Sequence, residues 1–154
     1  RIFYESGIPV SCEANDDLED IWSALLFPGG VPKKLYVAQT VLASMLGSKP
    51  EYAGSLPDTC EGADSDSQPA YGYAFQCGNR AVLVAWAPED AQSPEAGCVI
   101  TIPKKAQGYT IVGTPILERD LRLGETPVYV VSDRLAAKRL LEACRLRFPG
   151  VRPH

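Results

Sequence analysis

Glu5 is the first residue with chemical potential. It follows the apolar run Ile2-Phe3-Tyr4 and precedes Ser6-Gly7, so the run reads as a strand that ends in a carboxylate. A carboxylate at the C-terminal end of a barrel strand is where a nucleophile would sit. An ordinary polar residue closing a strand looks the same in sequence. The one histidine, His154, is the last residue, so no Ser-His-Asp or Cys-His device can be assembled from internal residues. No GxGxxG, P-loop or HExxH pattern occurs, and their phosphate-cradling and zinc chemistries lose their sequence signatures. Carboxylate chemistry remains. Glycoside hydrolysis needs only two carboxyl groups, about 5 Å apart for retention and further for inversion. Nineteen acidic residues permit such a pair without locating it.

The five cysteines, Cys12, Cys60, Cys77, Cys98 and Cys144, show no CxxC spacing and no internal histidine accompanies them. A zinc site is not expected, nor any other metal or cofactor. Cys77 and Cys98 fall in strand-like runs and read as buried thiols. Cys60 lies in a polar loop and could pair with either. Cys144 reads as a core thiol rather than a nucleophile, because no base is at hand to activate it. Glu61, Asp64 and Asp66 could suggest calcium, but their spacing departs from an EF-hand loop. A solvated loop from Asp58 to Ala70, rich in Asp, Ser and Gly, explains them better.

These residues need elements to hold them. The chain has 154 residues, 45% of them hydrophobic and 22% charged, which is ordinary globular composition and excludes a disordered tail, a coiled coil or a collagen-like rod. Its net charge of −4 argues against a general nucleic-acid binder. No apolar run reaches the roughly 18 residues of a membrane span. The chain begins at Arg1, in a run that reads as a strand with no lead-in loop, so something upstream is expected to be missing.

Asn15 to Glu19 reads as a helix start with acidic residues in the first turn. Leu18, Ile21, Trp22 and Leu25 then give one apolar face, and Pro28-Gly29-Gly30 ends it. Leu35, Ala38, Leu42, Met45 and Leu46 form a second stripe, with Gly47 placed to close the helix. The spacing predicts helices over 16–27 and 32–46. Strands follow. Residues 71–77 and 80–87 read as a hairpin about Gly78-Asn79, with further strands at 98–102, 109–112 and 126–131 and short edge pieces at 116–117 and 121–123. Strands at about ten-residue spacing suggest an antiparallel sandwich. Asp133 can cap a last helix with apolar face Ala137, Leu140, Leu141, Cys144 and Phe148. Arg134, Lys138, Arg139, Arg145 and Arg147 decorate that helix. They would be solvated or would dock on an anionic partner.

The expected fold class is α+β: an N-terminal helical pair, an antiparallel β-sandwich and a C-terminal helix. The expected units are a helical segment over 1–57, a sandwich over 58–132, and a helix with its tail over 133–154. Tyr71, Tyr73, Phe75, Trp86 and Tyr109 read as core rings or as a sugar-binding face. An exposed, coplanar pair among Tyr71, Tyr73 and Trp86 would favour sugar. An apolar patch at Leu18, Trp22 and Leu25 would favour a barrel or other partner.

A family resemblance adds to this reading. Lys34-Leu35-Tyr36-Val37-Ala38, then Leu42, Leu46-Gly47, and Tyr52 with Gly54-Ser55-Leu56, resemble the last helix of a glycoside hydrolase (β/α)₈ barrel. Tyr73-Ala74-Phe75, Arg80 to Trp86, Tyr109 to Gly113 and Thr126-Pro127-Val128-Tyr129-Val130 resemble the small β-sandwich that follows such barrels in bacterial enzymes. The resemblance covers about residues 32 to 131. It implies an accessory region that supports a catalytic barrel, as a domain or companion chain, and possible contact with polysaccharide. Tyr4-Glu5-Ser6-Gly7 is similar to the Thr-Glu-x-Gly segment of the seventh barrel strand, which would make Glu5 the nucleophile and leave the acid/base outside this chain. Tyr4 in place of Thr, an eighth strand hard to find between the helices, and a helix after Asp133 depart from the pattern. The resemblance implies an extracellular or periplasmic protein that is not catalytic alone. A non-enzymatic protein-interaction or glycan-binding module is the alternative.

Overall fold

The computed structural model describes residues 34–56, 70–87 and 98–147. Helix α1 spans Lys34–Leu46. Among the described residues nine strands follow: β1 Glu51–Ser55, β2 Tyr71–Cys77, β3 Arg80–Trp86, β4 Val99–Thr101, β5 Gln107–Tyr109, β6 Pro115–Ile116, β7 Asp120–Arg122, β8 Val128–Ser132 and β9 Arg145–Arg147. A short helix α2, Ala137–Ala143, lies between β8 and β9. Six strands form one sheet in the order β1-β2-β3-β8-β5-β6, and three form a second in the order β7-β4-β9. Every pairing is antiparallel.

The expected element order is corrected here. The described residues hold two helices in all, one ahead of the sheets and one late, and not an N-terminal helical pair. The helix expected over 16–27 lies outside the described residues. The apolar stripe of α1 finds its cover on the large sheet instead. Val41, Leu42, Met45 and Leu46 pack against Val82, Tyr129 and Val131. Gly47 closes the helix as expected, at φ +67°, with its N–H donated to Ala43 O at 2.8 Å. A positive φ of this size costs glycine no Cβ clash, which is why glycine ends helices this way.

The chain then turns into β1, which no sequence signal marked. Glu51-Tyr52-Ala53-Gly54-Ser55 lacks β-branched residues. It joins the sheet edge beside β2 with a register break between Tyr52 and Gly54, where Gly54 takes φ +143°. The hairpin forms where expected: β2 pairs with β3 from Tyr71↔Trp86 to Cys77↔Arg80. Gly78 at φ +62° with no positive φ at Asn79 fits a two-residue turn with glycine in its first central position.

Two further boundaries move. Thr110 to Val112 belong to a turn rather than to the strand, with Gly113 N–H donated to Thr110 O at 2.9 Å. The last helix stops at Ala143 because Cys144 turns extended, at φ −78° and ψ 120°. Arg145-Leu146-Arg147 then pairs with β4 as a strand. The expected terminal helix is thus seven residues long and enclosed between strands.

Alternation along the strands sorts the core. Ala81, Leu83 and Ala85 of β3, Ala74 of β2 and Val130 of β8 face one way. They meet Ile100 of β4, Cys98, Ile102 and Leu123, together with Ala137, Leu140 and Cys144 of the α2 region. The small sheet and α2 therefore cover one face of the large sheet, and α1 lies on the other. Ser132, the buried polar residue of the described core, sits 2% exposed at the end of β8. Its Oγ donates to Lys105 O at 2.7 Å and accepts the N–H groups of Arg134 and Leu135 at 3.1 Å. This satisfies a hydroxyl whose burial would otherwise be unfavourable.

Candidate functional site

Glu5 lies outside the described residues, as do Cys12, Cys60, Glu61, Asp64 and Asp66. Among the described residues, no cluster of three His, Cys, Asp or Glu side chains is arranged to hold a metal ion. No helix among them is long and apolar enough to cross a membrane.

The clearest feature is an aromatic corner on the α1 face of the large sheet. Period-two alternation puts Tyr71, Tyr73 and Phe75 of β2 on that face, and the register sets Trp86 of β3 directly beside Tyr71. The Tyr71 and Trp86 rings lie 5.3 Å apart with planes 27° from parallel. Tyr73 meets Trp86 diagonally at 5.7 Å and 44°. Tyr52 of β1 sets its ring edge against Phe75 at 5.9 Å. Such contacts are worth about 0.5–1.5 kcal/mol each beyond the area they bury. Tyr73 stays 38% exposed and Tyr52 61%.

The corner is not enclosed core, since Tyr73 and Tyr52 reach the surface. Tyr71 and Trp86 do not lie side by side in one plane. They are stacked on each other, which covers one face of each ring. Tyr109 lies elsewhere, half-buried, paired with Tyr129 across β5 and β8.

At the other end of this face, the last turn of α1 meets the β2–β3 turn. They enclose a cleft of about 490 Å³ lined by Met45, Lys49, Cys77, Asn79, Arg80 and Asp133 among others. Arg80 Nε donates to Asp133 Oδ1 at 3.2 Å across the cleft wall. The Cys77 thiol is half-buried and free. Burial pushes its pKa up and the nearby Arg80 guanidinium pulls it back, for a net rise. A thiol held protonated is a poor nucleophile. Cys144 is buried at the end of α2, and burial pushes its thiol up to about 12. That agrees with a core thiol. Cys98 is fully buried, as expected, but sits just before β4 rather than in it.

A second feature was missed because its residues were assigned to a helix. Arg145 and Arg147 are on β9, in register with Thr101 and Val99 of β4, which pair in turn with Asp120 and Arg122 of β7. Leu121, Ile100 and Leu146 take the inner face and pack into the core. The outer face therefore carries Arg122, Arg145 and Arg147 with Asp120, all exposed. Asp120 accepts Thr101 Oγ1 at 2.7 Å and Arg147 Nη2 at 2.5 Å. The sequence signal was the Arg-Leu-Arg alternation itself, which fits a strand as well as the end of a helix.

Comparison of the chain with family models, curated proteins and solved structures found no match.

Proposed function

We propose that this chain is a non-catalytic accessory module of a glycoside hydrolase-like protein. Its role is to support a catalytic (β/α)₈ barrel, supplied as a domain or companion chain. One observation carries the reading: α1 and the aromatic corner share a single face of the large sheet. The helix that resembles the end of a barrel already lies on that face. Beside it the same face continues into Tyr71, Tyr73 and Trp86, rings in mutual contact and partly open to solvent. A contiguous aromatic patch of this kind is suited to burial against another folded surface. A barrel whose last helix is α1 would extend over it. In this reading Glu5 belongs to the barrel's site, and a second carboxyl at the required distance comes from outside this chain.

The test is native mass measurement on gently purified material, paired with a Tyr73→Asp, Trp86→Asp variant. The expected result is a mass above the 16.6 kDa of this chain, with the added mass carrying a barrel. The variant should loosen that association while the isolated chain, though it melts lower for want of the Trp86 ring contacts, still folds with the parent's circular dichroism. A stably folded chain of 16.6 kDa with no companion, or an association indifferent to both substitutions, would overturn the reading.

A further inference from the structure

We infer that residues 16–27 of this chain dock on the uncovered strip of the large sheet, between α1 and the β1–β2 edge. Leu18, Trp22 and Leu25 then lie over the aromatic corner, and Asp16 and Asp17 lie near Lys49. The inference rests on the preceding reading only for the claim that this face is covered, and it names the segment that covers the corner. Three observations support it.

The first is an open strip with a definite place. α1 packs on Val82, Tyr129 and Val131, and a Cβ at Gly113, beyond β5, would stand 3.4 Å from its Val41. The helix is thus set toward the β8–β5 side. On β2, Tyr71 and Phe75 stay half-buried and Tyr73 is 38% exposed. A hollow of about 270 Å³ runs along α1, lined by Gln39, Leu42, Ala43, Leu46 and Pro50 among others. Pro50 leads into β1, the strand outside β2, so the hollow opens toward the same strip.

The second is chain length. Residues 28–33, with Pro28-Gly29-Gly30 among them, separate the helix expected over 16–27 from Lys34. Helices joined by so short a link lie antiparallel, side by side. The helix α1 has 13 residues, and at about 1.5 Å per residue the two lengths match to within a turn. The start of 16–27 therefore returns to the level of Lys49. Its end stays beside the start of α1. The last turn of α1 meets the β2–β3 turn, so its start points to the other end of those strands, where Tyr71 pairs with Trp86.

The third is chemical complementarity. Leu18, Ile21, Trp22 and Leu25 form one apolar face, which needs an apolar surface to cover it. Charge agrees. Residues 2–32 hold six acidic residues and no Lys or Arg, whereas the described residues carry twelve Lys and Arg against six Asp and Glu. Lys49 is exposed and has no ion-pair partner among the described residues. An acidic segment is drawn to such a body, and its apolar face fixes where it settles.

Two measurements on the full chain test this. A zero-length carbodiimide joins a carboxylate to an amine only where the two touch. Peptide mass mapping of the treated protein should show Lys49 joined to Asp16 or Asp17, within one chain and at a yield independent of protein concentration. Trp86→Phe leaves Trp22 as the one tryptophan of the chain. Its emission should be short-wavelength and shielded from acrylamide. Adding Tyr73→Asp should move the emission to the red and raise quenching severalfold. The inference is overturned if Lys49 joins no carboxylate of 16–20, if it does so only between chains, or if Trp22 is already open to acrylamide before Tyr73 is changed. The cross-link needs no substitution, so a variant that fails to fold does not decide the matter. Native mass tests the barrel separately. A companion chain without the cross-link would overturn this inference alone, and a lone chain that forms it would overturn the barrel-support reading alone.

Discussion

The side-chain carbonyl of Gln76 accepts the backbone N–H of Ala137 at 2.9 Å. Sixty-one positions separate the two residues, and the bond ties the end of β2 to the start of α2. The helix needs it. Its N-cap residue is Ala136, which offers no side-chain acceptor, so first-turn donors must be satisfied from elsewhere. The same Gln76 amide donates to Gly78 O at 2.7 Å and to Arg80 O at 3.2 Å, bracing the β2–β3 turn.

Replacing Gln76 with Ala should therefore cost about 1–2 kcal/mol, read as a lower midpoint in urea with an unchanged slope. Gln76→Glu keeps an acceptor for Ala137 but sets a carboxylate oxygen against the Gly78 and Arg80 carbonyls, so it too should be destabilising. An unchanged midpoint in Gln76→Ala would show that these three bonds contribute nothing.

Close approach at Gly72 makes a second prediction. A Cβ there would lie 2.2 Å from Leu56 Cδ1 and 2.6 Å from its Cγ, and Leu56 is itself buried, at 4% exposure. Gly72→Ala should cost about 1–3 kcal/mol through overpacking. Combined with Leu56→Ala it should cost less than the sum of the single changes, because the second removes the atoms the first strikes. Strict additivity in the cycle would rule out this contact as the cause.

Cys144 links stability to pH. Its folded pKa is raised by burial from 9.0 to about 12. Below pH 9 both folded and unfolded thiols are protonated and the group has no effect on the balance. Between about 9 and 12 the unfolded thiol loses its proton while the folded one retains it. The unfolded state then binds fewer protons, and stability falls with rising pH at up to about 1.4 kcal/mol per unit. Cys144→Ala should flatten that part of the stability curve. In alkylation at neutral pH, Cys77 should react before Cys144, which should wait for unfolding. Early labelling of Cys144 would contradict its burial.

Local rules recovered the parts of the fold that carry local signals. The hairpin at Gly78-Asn79 has a turn that only a few residues serve, and the end of α1 has its glycine. The edge strand β1 has neither. Its pairing depends on β2, which follows a long polar stretch, and no periodicity within Glu51–Ser55 announces it. The end of α2 failed for a related reason. Leu141, Cys144 and Phe148 keep helical spacing past Ala143, so only tertiary pairing with β4 marks the change to a strand. The same error concealed the arginine face, since Arg145 and Arg147 gain Arg122 as a neighbour only through strand register. The aromatic corner was legible as a set of rings. Their stacking was not, because it depends on which residue of β3 lies opposite Tyr71.

The place of β8 in the large sheet bears on how the protein is made. This strand lies between β3 and β5, yet β4, β5, β6 and β7 all precede it in sequence. During synthesis, the β3 hairpin and the β5–β6 hairpin leave the ribosome with unsatisfied backbone edges facing each other across an empty lane. Only when Val128–Ser132 emerges can the two halves join, enclosing Leu83 with Val130 on one face and Val82 with Val131 on the other. Until then those edges are open to pairing with other chains. The topology therefore favours slow, late closure over gradual assembly, and a chain that stalls before Val128 is the species most exposed to aggregation.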